Sequence, residues 1–204
     1  MNVSIFYSKL ILMSSGKVKV IKSGVFIDAS NLLWAMKQKD EKTGKKIHYN
    51  ICFKKLKQYL KRHYSPSFYH YYACEDSRPK KEPYITHAKN TQKFFQVLDG
   101  LGYNVIKKEL KHIGDGTKCD TDVEITMAMH KYANDIENII LFSGDSDFLS
   151  AVEHFHSLGK HVRIFSFEKF LSWELKDFAI KNPRCNYKLL DDLRGKLERT
   201  DDES

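Results

Sequence analysis

Ile139-Ile140-Leu141-Phe142-Ser143-Gly144-Asp145-Ser146-Asp147-Phe148 passes from four apolar residues straight into two carboxylates one serine apart. The apolar run reads as a strand buried on both faces, the habit of parallel sheets. A second run, Gly24-Val25-Phe26-Ile27, also ends on an acid, Asp28. Strand ends of this kind meet along one edge of an α/β sheet, where such folds place their sites. Carboxylates crowded there repel one another unless a cation sits between them, and a hard cation such as Mg²⁺ or Mn²⁺ prefers oxygen ligands.

Strand and helix alternate outward from these two runs. Phe68–Cys74 and Tyr103–Leu110 read as strands, and His161–Phe165 as another. Helices are expected over Asn31–Lys39, from a cap at Asn50 to about His63, and over Tyr84–Leu101. Further helices are expected over Asp120–Asn134, Phe148–Leu158 and Phe170–Ile180. Gly102 and Gly159 stand where helices close. His112–Lys118, with two glycines, reads as a mobile connection. This alternation predicts an α/β fold with a central parallel sheet flanked by helices. In the strand order 3-2-1-4-5, Asp28, Asp145 and Asp147 would face one another where the winding reverses, with Asp122 opening the helix after the third strand. Helix capping is the competing reading: Asp147 can be an N-cap, and Thr121-Asp122-Val123-Glu124 fits a capping box.

The 204 residues suffice for one domain. It is expected over 22–190, with an N-terminal extension over 1–21 and a charged C-terminal tail over 191–204. The net charge is +8 and the sequence pI about 9.1, a balance that favours polyanionic partners, nucleic acid first. From Lys37 to Arg62, Lys and Arg outnumber acids ten to two. Four dispersed cysteines without a C-x-x-C pair argue against a zinc ribbon or a disulfide framework and suit a reducing cytoplasm. No apolar run reaches membrane-spanning length. No Gly-rich phosphate loop and no paired Ser or Cys nucleophile is visible.

A carboxylate cluster around a divalent ion suits phosphodiester hydrolysis, because the ion polarises phosphoryl oxygen and activates water. Three blocks then resemble one family. Val25-Phe26-Ile27-Asp28-Ala29-Ser30-Asn31-Leu32 is similar to the opening hydrophobic-D-G-S-N motif of NYN domains, the LabA-like branch of the PIN-like nucleases. Lys118-Cys119-Asp120-Thr121-Asp122-Val123 resembles the family's K-G-x-D-V segment, and Ser143 to Phe148 its S-G-D-x-D-F segment. The resemblance covers roughly 22–167. It implies a PIN-like Rossmannoid fold and metal-dependent ribonuclease activity. Asp28, Asp122, Asp145 and Asp147 would hold Mg²⁺ or Mn²⁺, and Asn31, Ser143 and Lys118 would support the site. Two departures stand out: Ala29 replaces the usual glycine, and Ala128 stands where many relatives carry another acid.

Lys80, Lys81, Lys107, Lys108 and Lys111 are candidates for tracking a phosphate backbone, against the plainer reading of a solvated surface. The expected partner is RNA, single-stranded or structured, with no membrane, and a homodimer is expected by analogy only. The rival to an endoribonuclease is a non-catalytic RNA- or protein-binding module on the same scaffold. A phosphatase of small phosphoesters is a third reading, which the positive charge disfavours.

Overall fold

The computed structural model describes residues 10–12, 18–20, 22–76, 79, 82–113 and 116–200. In chain order the strands are β1 (Leu10–Leu12), β2 (Val18–Val20), β3 (Ser23–Asp28), β4 (Pro66–Glu75), β5 (Asn104–Glu109), β6 (Lys111–Ile113), β7 (Gly116–Lys118), β8 (Asn138–Phe142), β9 (His161–Ser166) and β10 (Cys185–Leu189). The helices are α1 (Ala29–Lys37), α2 (Phe53–Tyr64), α3 (Tyr84–Gly100), α4 (Asp122–Tyr132), α5 (Leu149–Ser157), α6 (Trp173–Lys181) and α7 (Arg194–Leu197).

β3 and β8 are buried along their whole length and pair in parallel at the centre of a six-stranded sheet. Its order is β10-β9-β8-β3-β4-β5, and every neighbouring pair runs parallel. Counting only these strands along the chain, the order is 3-2-1-4-5-6, the expected arrangement with one strand added. β1 with β2 and β6 with β7 form separate antiparallel hairpins.

Alternate side chains of the central strands feed two cores, as a period of two requires. Val25 and Ile27 of β3, Tyr71 of β4 and Ile140 and Phe142 of β8 face one core with α1, α2, α3 and α7. Phe26, Tyr72, Ile139 and Leu141 face the other, against α4, α5 and α6. The rings of Tyr69 to Tyr72 are therefore consumed inside the protein. The chain winds one way from β3 to β5, returns along α4, and winds the other way from β8 to β10. The reversal falls between β3 and β8.

Several local expectations are corrected. Asn50 does not cap α2: its carbonyl accepts from Arg199, its side chain accepts from Lys46, and Ile51 bridges to Glu198, which keeps the chain extended until Phe53. His112–Lys118, read from sequence as a connection, carries part of β6 and all of β7, which pair antiparallel. The last long helix begins at Trp173, capped by Ser172, later than expected. Strand β10, unforeseen because Cys185–Leu189 carries polar residues at alternate positions, pairs as the sheet edge. The charged stretch after it is built into the domain as far as Arg199, since Leu190, Leu193 and Leu197 are buried in the first core and the Arg199 amide donates to the Asn50 carbonyl. Cys74 and Cys119 form a disulfide, against the expectation of reduced cysteines, because β4 and the start of α4 bring them together across 45 residues.

Candidate active site

The sheet edge beyond β3 and β8 opens into a cleft of about 410 Å³ lined by Asp28, Asp120, Asp122, Asp145 and Asp147, with Asn31, Thr121 and Trp34 among its other walls. Asp28 ends β3 and is buried; its Oδ1 accepts from the Asn31 amide at 3.1 Å, capping α1. Its other oxygen accepts from Ser143 Oγ at 3.0 Å. Ser143 Oγ in turn accepts from the Asp145 amide, and Asn31 Oδ1 accepts from the Gly144 amide. Asp145 caps the short turn Ser146–Phe148 by accepting from the Asp147 amide at 3.1 Å. Capping and site-building are thus the same hydrogen bonds: the central strands are joined at their ends by Asp28, Asn31 and Ser143.

Asp122 enters from α4. The foreseen capping box is not formed, for Thr121 makes no side-chain cap. Asp120 accepts from the Asp122 amide instead, at 2.9 Å, and Glu124 pairs with Lys108 rather than reaching back. Lys108 also donates to the Asp120 carbonyl, fastening this segment to β5.

Burial holds the Asp28 carboxyl above its ordinary value, against the hydrogen bonds from Asn31 and Ser143, and the charge of Asp145 adds to the rise. Asp122 is pushed up to about 7, first by burial, then by the charges of Asp120, Asp28 and Asp145. These acids are close enough to resist ionising together. Among the described residues, however, no three His, Cys, Asp or Glu are drawn into a ready-made metal-ligating group. The donor set is all oxygen and suits a hard divalent cation. Thr121 Oγ1 is buried on the same wall without a hydrogen-bond partner, a further oxygen left for a ligand or its water. A cation there would draw in Asp122, Asp145 and Asp147, whose side chains are only partly covered.

A family model described as the NYN domain matches residues 22–181. The chain belongs to the NYN domain family. This NYN domain is 30% identical over 115 residues to the Low amplitude and bright protein LabA of Synechococcus elongatus, a match covering 53% of the chain and 59% of that protein. Its fold is similar to the crystal structure of a protein of unknown function from Vibrio parahaemolyticus, with a TM-score of 0.66, 22% identity, and coverage of 87% of this chain and 96% of that one. No helix among the described residues is long and apolar enough to cross a membrane.

The cleft of this NYN domain gathers Asp28, Asp122, Asp145, Asp147 and Asn31, with buried Ser143 hydrogen-bonded behind them. For Lys118 only the backbone, at the end of β7, is described. Lys107 is paired with Glu75 and Lys108 with Glu124, so neither is a free cation, whereas Lys111 is exposed. Lys80 and Lys81 lie outside the described residues. Trp34, Ser30 and Cys119, not among the expected site residues, also line the cleft. Helical spacing offered a signal for the first: Trp34 stands three residues after Asn31, on the same face of α1.

Proposed function

We propose that this NYN domain is a metal-dependent ribonuclease hydrolysing RNA phosphodiester bonds, with Mg²⁺ or Mn²⁺ held by Asp28, Asp122, Asp145 and Asp147. One observation carries the reading: acids from three distant stretches of a strongly basic chain line a single cleft at the winding reversal. A bound ion would polarise the phosphoryl oxygen and supply activated water. The chain's own part is to hold the carboxylates. Ser143 and Asn31 fix Asp28 and the turn bearing Asp145, and Asp120 with Lys108 sets the start of α4. Burial and the neighbouring acids push the Asp122 carboxyl up to about 7, so a cation in the cleft would relieve the crowding. Exposed Lys111, with Lys118, Lys80 and Lys81, is proposed to meet the phosphate backbone. The cytoplasmic setting expected from cysteine spacing belongs to the same proposal, and the Cys74–Cys119 bridge weighs against it.

Asp145→Asn tests the reading. The variant keeps the hydrogen-bond acceptor for Asp147 and should fold, bind RNA and lose Mn²⁺-dependent cleavage of labelled oligoribonucleotides. Cleavage at the wild-type rate, with contaminating nucleases excluded, overturns the assignment. A second reading, a non-catalytic RNA- or protein-binding module, is favoured by the lack of a ready-made group of three metal ligands among the described residues and by Ala128, partly buried against the second core, where the NYN resemblance leads one to expect another acid. Calorimetric titration separates the two: the binding module takes up no Mn²⁺ at the cleft.

A further inference from the structure

A second cleft, of about 430 Å³, opens between α1 and α3 and shares Ser30 and Trp34 with the acidic one. Its size falls within the roughly 300–1,000 Å³ of small-ligand sites. Leu33, Trp34 and Phe94 give it apolar walls, His87, Asn90 and Thr91 supply polar edges, and Lys37 stands exposed in its lining. Trp34 is the hinge between the two clefts. The residue is 59% exposed, yet its ring is held edge-on against Phe170 with ring centroids 5.1 Å apart and planes at 88°. An aromatic ring that is both fixed and open spends little entropy on stacking a ligand.

We propose that Trp34 is a stacking platform and that the second cleft receives one base of a single-stranded RNA whose phosphate lies at the acids. The inference rests on the reading that the acidic cleft handles a phosphodiester. The occupant follows from continuity and charge. The two clefts meet at Ser30 and Trp34, so a strand held at the acids can extend past them into the second; a base is the flat, polar-edged group that matches apolar walls with amide and hydroxyl rims, and the Lys37 ammonium suits the phosphate beyond it. Duplex RNA keeps its bases stacked on one another and presents none to the ring.

The chain has two tryptophans, Trp34 and Trp173, and Trp173 is exposed on α6, so Trp173→Phe leaves Trp34 as the sole indole fluorophore. In metal-free buffer, where ion-dependent cleavage is silent, a single-stranded oligoribonucleotide should quench Trp34 saturably, and the matching abasic strand should not. Trp34→Ala should weaken binding of the base-bearing strand about 5- to 100-fold, the loss of one stacked base, while leaving abasic binding unchanged; Trp34→Phe should restore part of it. Absence of quenching by base-bearing RNA, or equal affinity of the Trp34→Ala protein, overturns the proposal. The two readings fail differently. A wrong nuclease assignment shows as quenching without Mn²⁺-dependent cleavage, and a wrong platform shows as cleavage without quenching.

Discussion

Gly144 is the residue on which the site turns. It sits buried between Ser143 and Asp145, its amide donates to Asn31 and its carbonyl accepts from Ser172. A Cβ at this position would collide with the Phe170 carbonyl oxygen and crowd Ser166 Oγ. The obstacle is backbone, which cannot swing aside as a side-chain end can. Gly144→Ala should therefore cost about 1–3 kcal/mol of stability and displace Asp145, lowering both the melting midpoint and Mn²⁺-dependent cleavage. A variant with wild-type melting and turnover would show that the turn is free to shift. The sequence displayed Asp28, Gly144 and Asp145 as a pattern, but not why the glycine is needed. That reason lies in Phe170, which reaches the turn only through the path of the chain after β9. Trp34 depends on packing in the same way: spacing puts it on the Asn31 face of α1, but only the sheet and Phe170 decide that this face stays open.

At the scale of elements, the acid-bearing start of α4 is the part least secured by its own sequence. Thr121 leaves its capping oxygen unused, and the segment is held from outside by Lys108 of β5 and by the Cys74–Cys119 bridge to β4. Closing a loop of 45 residues is worth up to about 4 kcal/mol in the chain-entropy account. Reductant should lower the melting midpoint of the wild-type protein and leave Cys74→Ser, already lower, unmoved; identical melting with and without reductant would remove the bridge from the stability of the fold. The core elements were legible because their apolar runs and glycine stops are local signals. The capping box does not form because Asp122 and Glu124 take different partners, Asp120 and Lys108, that only packing supplies. β10 and the helical turns after it were not legible at all: alternating polar residues and a charged composition describe an edge strand and its sequel as well as they describe a tail.

Across the whole molecule, the strain of gathered acids should appear as a dependence on pH. Asp28 and Asp122 have carboxyls held above their ordinary 3.8, Asp122 to about 7. The unfolded chain ionises them near the ordinary value, so between about pH 4 and 7 the folded protein binds more protons. Stability of the ion-free protein is then fullest below that window and falls as pH rises through it. After allowance for solvent screening around a half-exposed group, Asp122 contributes on the order of 1–2 kcal/mol to this loss. Mn²⁺ should raise the melting midpoint strongly near pH 8 and little near pH 5, where protons already neutralise the acids. A midpoint indifferent to both pH and Mn²⁺ would mean the carboxylates do not act as a group. The order of strands explains why they meet. Winding outward from β3 on one face and from β8 on the other leaves a crevice at the reversal, and the ends of both central strands open into it. By itself the sequence determined the alternating α/β architecture, the two buried central strands and the acids at their ends, because burial period and terminal carboxylates are written in neighbouring residues. The tertiary structure alone decided how Asp122 is held, that Cys74 and Cys119 meet, that the stretch after β9 closes the sheet, and that Trp34 stands open between two clefts, because each depends on contacts between residues far apart in the chain.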